Sequence, residues 1–270
     1  MTSTSAAGVP TPGFVPAKQR VWQIVRKGEP SKALVLDDEA PIPTLKSGEV
    51  LVRVEAVSFN NVFALFLVSP TERGLLITPY SVYLLMVLLP NSFMKRPAEL
   101  EFAGEIADAD PSSGFAPGDK VVGFVTPDLH IRERRGALAQ YIVVKPAELV
   151  KRPDFLNPVE ASGVTGVGLT AYQALFEIAK LRKEPGQSVF INGGSTSVGM
   201  YAIQIAKAYG LKVVASTSGR NAKLVSELGA EVRTSHSSTV VRLLIIGHLP
   251  GRRLHYRPTP RDPHSTLQLG

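Results

Sequence analysis

Residues 188–230, SVFINGGSTSVGMYAIQIAKAYGLKVVASTSGRNAKLVSELGA, leave this chain few ways to fold. Val189, Phe190 and Ile191 form a short apolar run of strand type, and a glycine turn follows, Gly193-Gly194-Ser195-Thr196-Ser197-Val198-Gly199. Val198, Ala202, Ile205 and Ala206 then recur at helical spacing, and Gly210 is placed to end that helix. Residues 212–216 read as a second strand, and 222–228 as a second helix stopped by Gly229. Strand, glycine turn, helix and strand in this register are the opening of a dinucleotide-binding βαβ unit.

The residue types suit that chemistry. A pyrophosphate against the first turn of the helix meets unpaired backbone N–H groups and the positive end of the helix dipole. Side chains at Gly193 and Gly194 would obstruct it, and Gly199 lets helix and strand pack closely. Thr196 stands where the middle glycine of GxGxxG usually falls. The turn therefore nominates Gly193, Gly194, Ser195, Thr196, Ser197, Val198 and Gly199 as cofactor-binding residues. About 20 residues beyond the glycines an NAD site carries Asp or Glu for the ribose hydroxyls. Here the sequence is Ser216-Thr217-Ser218-Gly219-Arg220, with Lys223 close behind. No carboxylate repels a 2′-phosphate, and hydroxyls with a guanidinium bind one through charge-assisted hydrogen bonds. Ser216, Thr217, Ser218 and Arg220 thus favour NADP(H) over NAD(H). A polar loop with a solvated arginine is the plainer alternative.

The run PGQSVFINGGSTSVGMYAIQIAKAYGLKVVAS resembles the cofactor segment of the medium-chain dehydrogenase/reductase superfamily, in its zinc-independent quinone-oxidoreductase and enoyl-reductase branch. The segments GEVLVRVEAVSFN, LEFAGEIADAD, GDKVVGF, GALAQYIVV and GLTAYQAL extend the resemblance over residues 18–60 and 90–230. It implies an α/β architecture: an N-terminal GroES-like β-barrel at 17–157 and a partial Rossmann domain at 158–230. It also implies that Asn60 lies near the nicotinamide, although the family's Asn-Pro-x-Asp segment reads Asn60-Asn61-Val62-Phe63 here. A helix-capping asparagine is the other reading of Asn60. Thr170, in Gly168-Leu169-Thr170-Ala171, falls in a family segment that approaches the nicotinamide. Tyr172, at helical spacing, reads as packing in preference to a proton donor.

The barrel expectation has support in the residues themselves. Residues 22–25 and 33–36 are short strands around Gly28-Glu29-Pro30, and 49–57 alternates apolar and polar side chains as a half-buried strand. Residues 102–106, 120–124, 139–144 and 148–151 continue the pattern, with Pro117-Gly118-Asp119 as a turn. Asp119 reads as a turn residue, and His130 as part of a solvated charged loop without metal-ligand spacing. The linking segment gives a helix over 169–175.

Two domains suit 270 residues. The absence of cysteine excludes disulfides, thiol nucleophiles and cysteine-rich zinc sites, and no metal site is expected. Of the net charge of +7, residues 231–270 contribute six Arg against two acids, or +4. No basic stripe with interleaved aromatics occurs elsewhere, which argues against nucleic-acid binding. Residues 1–16 read as a flexible leader without a secretory signal; a cytoplasmic location is expected, with mitochondrial import as the alternative.

Two stretches depart from the resemblance. In residues 62–89 two apolar blocks flank Thr71-Glu72-Arg73-Gly74, each shorter than the roughly 18 residues of a membrane span. A buried core pair, a hydrophobic lid or dimer patch, and foreign sequence such as a retained intron compete here; the abrupt return of the pattern at LPNSFMKRPAELEFAGE favours the last. Beyond Ala230 the chain is expected to supply no more than about two strands of the six in a doubly wound domain. Residues 231–270 read as a divergent basic tail, either disordered or out of frame.

The expected function is NADP(H)-dependent hydride transfer to a small enone, enoyl or quinone substrate, with a homodimer as an open assembly. No Tyr-x-x-x-Lys pair or nucleophile triad appears, so no catalytic acid is assigned. The competing expectation is a truncated, non-catalytic homologue with at most weak NADPH binding.

Overall fold

A computed structural model describes residues 15–26, 30–60, 95–234 and 244–246. The chain divides into two compact units, Met1–Gly166 and Val167–Gly270. The hydrophobic block 62–89 and most of the basic tail lie outside the described residues.

The first unit contains strands β1 (Lys18–Ile24), β2 (Leu34–Pro41), β3 (Val50–Ser58), β4 (Arg96–Pro97), β5 (Glu101–Ala109), β6 (Lys120–Phe124), β7 (Tyr141–Val144) and β8 (Leu149–Lys151). Its helices are α1 (Pro30–Ala33), α2 (Pro127–Arg132) and α3 (Pro158–Ser162). Five strands form an antiparallel sheet in the order β7-β3-β5-β6-β8, and three more run β2-β1-β4. Val50 and Val52 are fully buried with Phe102, Ile106, Val121 and Val144. Arg53, between them and the outer end of β3, pairs with Glu105 at 3.0 Å. The alternation in β3 suggests one buried face, yet Leu51 is buried too, against Tyr141 and Val143 with Ile42 and Leu45 packed over them. Coverage by a distant loop has no signature in a strand's own periodicity.

Asp119 is the turn residue its context suggests. Its carboxylate accepts from the Ala116 amide at 3.0 Å and from Lys151 Nζ at 3.0 Å, and these hydrogen bonds hold it below the usual carboxylate range. His130 corrects the solvated-loop expectation: it lies on α2 and is 1% exposed. Thr126 at the N-cap position and Pro127 at the first turn start a short helix that turns His130 inward. Its Nδ1 is 2.6 Å from the Arg135 carbonyl, a separation that makes Nδ1 the protonated nitrogen of the neutral ring. Burial pushes its pKa down to about 4.

Helix α4 (Thr165–Tyr172) leads from the first unit into the second and continues as a π-helical turn, Gln173–Ile178. It starts four residues before the expected helix, despite Gly166 and Gly168. The second unit then runs β9 (Ser188–Asn192), α5 (Ser197–Ala208), β10 (Lys212–Thr217), α6 (Ala222–Glu227), β11 (Glu231–Thr234) and β12 (Leu244–Ile246). Its core joins Ile191, Ile203, Val213, Ala215 and Val225 with Leu175 and Phe176 of the π-helical turn.

The sheet order is β11-β10-β9-β12, with β9, β10 and β11 parallel and β12 antiparallel to β9. The expectation of about two strands is therefore corrected: residues 231–234 pair with 214–217, and part of the apolar run in the tail pairs with β9. Strand β11 keeps Glu231, Arg233 and Thr234 exposed, so backbone pairing holds it without an apolar pattern to announce it.

Candidate nucleotide site and a buried carboxylate pair

In the second unit, β9 delivers the chain to Gly193, whose φ of 85° turns it toward α5. Thr196 caps that helix. Its Oγ1 accepts from the Gly199 amide at 3.0 Å and donates to the Gly193 carbonyl at 2.8 Å. A Cβ on Gly199 would sit 2.2 Å from the Gly193 carbonyl oxygen, so only glycine permits this closure. The amides of Gly193 and Gly194 turn inward, bonding Ser216 Oγ at 3.2 Å and the Ser216 carbonyl at 2.8 Å. Gly194 lacks a side chain for a packing reason: a Cβ there would meet Ala215 at 2.9 Å and Val225 at 3.0 Å. The first helical positions, Ser197 and Val198, are left to offer their amides to an anion.

The end of β10 closes over the turn. Ser216 hydrogen-bonds the Asn192 side-chain carbonyl, while Thr217 Oγ1 donates to Ser195 Oγ at 2.9 Å. Asn221 Nδ2 donates to the same Ser195 oxygen at 3.1 Å. Thr217 is buried, so it and Ser216 brace the turn from within. Ser218 is half-buried and Arg220 is exposed on a short 3₁₀ turn, Gly219–Asn221. Of the four residues assigned to a 2′-phosphate, these two remain the accessible donors. Asn192 and Asn221 belong to the network without being nominated by the sequence. Both are ordinary polar residues whose roles depend on β9, β10 and the 3₁₀ turn converging.

Thr170 is exposed on α4, and Tyr172, one residue past Ala171, is half-buried. Lys183 Nζ hydrogen-bonds the Tyr172 hydroxyl and lies 4.8 Å from its ring centroid. The Tyr172 ring meets Phe176 edge-on at 5.0 Å, and that hydrogen bond raises the Lys183 pKa. A spacing of eleven residues hid this pair from any Tyr-x-x-x-Lys search.

Asn60 belongs to the first unit, where it sits between two buried carboxylates. Its Nδ2 donates to Glu101 Oε1 at 2.9 Å, and its main-chain amide donates to Glu99 Oε2 at 3.1 Å. The other oxygen of Glu101 accepts from the Gly166 amide at 2.7 Å. Glu99 and Glu101 are 4% and 1% exposed. Burial pushes the Glu99 carboxyl up to about 7; hydrogen bonds from the Asn60 main chain and side chain oppose the rise, and the neighbouring Glu101 adds to it. Glu99 also takes the left-handed backbone region, with φ 59°. No local signal marks this cluster, because Glu99 and Glu101 lie in an ordinary-looking run at the start of β5. Among the described residues no group of three His, Cys, Asp or Glu is arranged to hold a metal ion.

No family model matches the chain. It is 33% identical over 244 residues to the trans-enoyl reductase poxH of Penicillium oxalicum, an alignment covering 78% of this chain and 60% of that protein. It is 34% identical over 197 residues to the chloroplastic quinone-oxidoreductase QR1 of Triphysaria versicolor, covering 72% of this chain and 54% of that one. Among solved structures, the quinone oxidoreductase of Coxiella burnetii matches with a TM-score of 0.64 at 26% identity, over 81% of this chain and 62% of that chain. The chain thus spans 54–60% of the length of these two curated relatives.

Proposed function

From a chain that is a homologue of the quinone-oxidoreductase and enoyl-reductase branch of the medium-chain dehydrogenase/reductase superfamily, we propose a zinc-independent, NADP(H)-dependent oxidoreductase acting on an activated C=C bond or a quinone. The observation that carries the cofactor half of this reading is the Thr196-capped start of α5, closed on Gly193 and holding the Ser197 and Val198 amides at a helix N-terminus. The dinucleotide fits that turn: its pyrophosphate would be held by those amides and the Ser195 hydroxyl. Ser218 and Arg220 would hold a 2′-phosphate, Arg220 through charge-assisted hydrogen bonds. Asn60 and Thr170 would act toward the nicotinamide. The bound nicotinamide supplies the hydride chemistry. This chain's residues bind and orient it, and solvent supplies the proton.

The reading includes a small-molecule substrate, a homodimer and a cytoplasmic setting, although the Triphysaria relative is named as chloroplastic. No helix among the described residues is long and apolar enough to cross a membrane.

Titration of the purified protein with NADPH and with NADH by calorimetry tests the proposal. About micromolar NADPH binding, with NADH at least about tenfold weaker, supports a site read through Ser218 and Arg220. Turnover of enones or quinones then separates the enzyme from a second reading, a non-catalytic homologue with at most weak NADPH binding. The antiparallel β12 favours that second reading, because the ligand crevice of a doubly wound sheet opens where parallel strands diverge to either side of the first. No heat from a folded sample with either cofactor overturns the enzyme reading.

A further inference from the structure

We infer that Asn221 is a positioning residue for cofactor choice: through Ser195 it ties the 3₁₀ turn that carries Arg220 to the glycine turn, and so holds Ser218 and Arg220 in register with the start of α5. The inference deepens the proposed function and rests on the reading that Ser218 and Arg220 hold a 2′-phosphate. Every residue in it belongs to the second unit.

Asn221 stands at the N-cap of α6, a position that favours asparagine because its side-chain oxygen accepts from the first amides of the helix. Here the side chain makes no cap hydrogen bond, and the backbone, at φ −103° and ψ 3°, lies outside the extended region usual for a cap. The side-chain NH₂ instead crosses 26 residues of sequence to Ser195 Oγ at 3.1 Å. Thr217 Oγ1 donates to the same oxygen at 2.9 Å. Thr217 is 3% exposed and ends β10, so it anchors Ser195 to the sheet. Asn221 extends that anchor to the turn. Within the turn itself the hydrogen bonds are local: the Asn221 amide donates to the Ser218 carbonyl at 2.9 Å, and the Ala222 amide to the Gly219 carbonyl.

The tie matters because of what the turn carries. Arg220 is exposed between Gly219 and Asn221, and its long side chain loses rotamer freedom when it binds. A backbone already held beneath it lowers that ordering cost, which raises affinity without adding a contact. Ser218, at the N-cap of the same turn, also makes no cap hydrogen bond with its side chain. Gly219 has no positive φ, and a Cβ there would meet no atom within 4 Å. Neither backbone conformation nor packing therefore calls for glycine at 219, and the space beside Ser218 and Arg220 is open. NADH lacks the 2′-phosphate, so its binding gains nothing from a fixed Arg220. Ser195 keeps Thr217 as its partner whichever residue stands at 221.

Asn221→Ser is the informative change. Serine ranks with asparagine as an N-cap, so a capping role tolerates it. Its side chain is one atom shorter and carries no NH₂ group, so the reach to Ser195 is lost. The first readout needs no cofactor: hydrogen exchange of the Asn221 and Ala222 main-chain amides in ¹⁵N-labelled protein, with the amides of β9 and β10 as the folding control. Exchange at 221 and 222 should quicken about fivefold, the size expected from one hydrogen bond. In a Ser195→Ala background, Asn221→Ser should add nothing, because the shared partner is already gone. The second readout is calorimetry. The NADPH dissociation constant should rise about fivefold while that for NADH changes less than about twofold. Unchanged exchange in folded Asn221→Ser overturns the inference, as do an unaltered NADPH affinity or equal losses for the two cofactors. A wild type that binds no NADPH overturns the proposed function, and with it the ligand assigned to this turn, while exchange still decides whether Asn221 ties the two turns together.

Discussion

Glu99→Gln should remove most of a pH-dependent loss of stability in the first unit. The folded carboxyl titrates at about 7 against an ordinary value of 4.5, chiefly because burial disfavours its charged form. Between those values the folded state keeps a proton that the unfolded chain has released. The stabilisation is fully present below pH 4.5 and is lost as pH rises through 7. Its full extent is roughly 3 kcal/mol, of which about 2.5 kcal/mol falls between pH 5 and pH 8. Glutamine keeps an acceptor for the Asn60 amide, now 3.1 Å from Oε2, but carries no charge to desolvate. Urea unfolding followed by the fluorescence of Trp22 reads this unit, because Trp22 is the only tryptophan and lies in β1. His130 titrates in both proteins, so its effect cancels in the comparison. The wild type should lose about 2.5 kcal/mol more than the variant from pH 5 to pH 8. Parallel losses in the two proteins would refute the reasoning, since they would mean that Glu99 ionises in the fold at little cost.

Three further outcomes are expected. His130, with its folded pKa depressed to about 4, gives stability present above its unfolded value of 6.5 and lost as pH falls through 4. Roughly 3 kcal/mol of that stability is gone by pH 4, and thermal melts of wild type and His130→Gln, separated at pH 7, should converge at pH 4. Gly199→Ala forces a Cβ to within 2.2 Å of the Gly193 carbonyl, so the second unit should lose about 1–3 kcal/mol by denaturant titration monitored by circular dichroism. Arg220→Glu should weaken NADPH binding by at least about tenfold in calorimetry while altering NADH binding by less than about threefold. Equal losses for both cofactors would remove Arg220 from the 2′-phosphate role.

The order of elements from β9 to α6 was legible because local signals agree there. A buried parallel strand, a capped amphipathic helix and terminating glycines each act within a few residues, and residues 188–230 contain all of them. The strands of the first unit were legible for the same reason, through alternation and turn residues. The sequence also placed the glycine turn at the start of α5, but did not show that the Gly193 and Gly194 amides bond Ser216 within the protein.

Other features arose only when distant segments met. Ser216 and Thr217 read as phosphate-binding hydroxyls, and pairing of β9 with β10 turns both toward the Asn192–Ser195 turn instead. His130 reads as a loop residue until α2 packs it inside, where desolvation changes its ionisation. Strand β11 has no apolar pattern and exists because β10 offers it a free ladder of amides and carbonyls. The Glu99, Glu101, Asn60 and Gly166 cluster joins residues up to 106 positions apart, from Asn60 to Gly166. Hydrogen bonding and desolvation act over a few ångströms of space, whatever the separation along the chain. The sequence by itself therefore determined the order of elements from β9 to α6 and the glycine turn between β9 and α5, and the tertiary structure alone decided which polar groups are buried and paired.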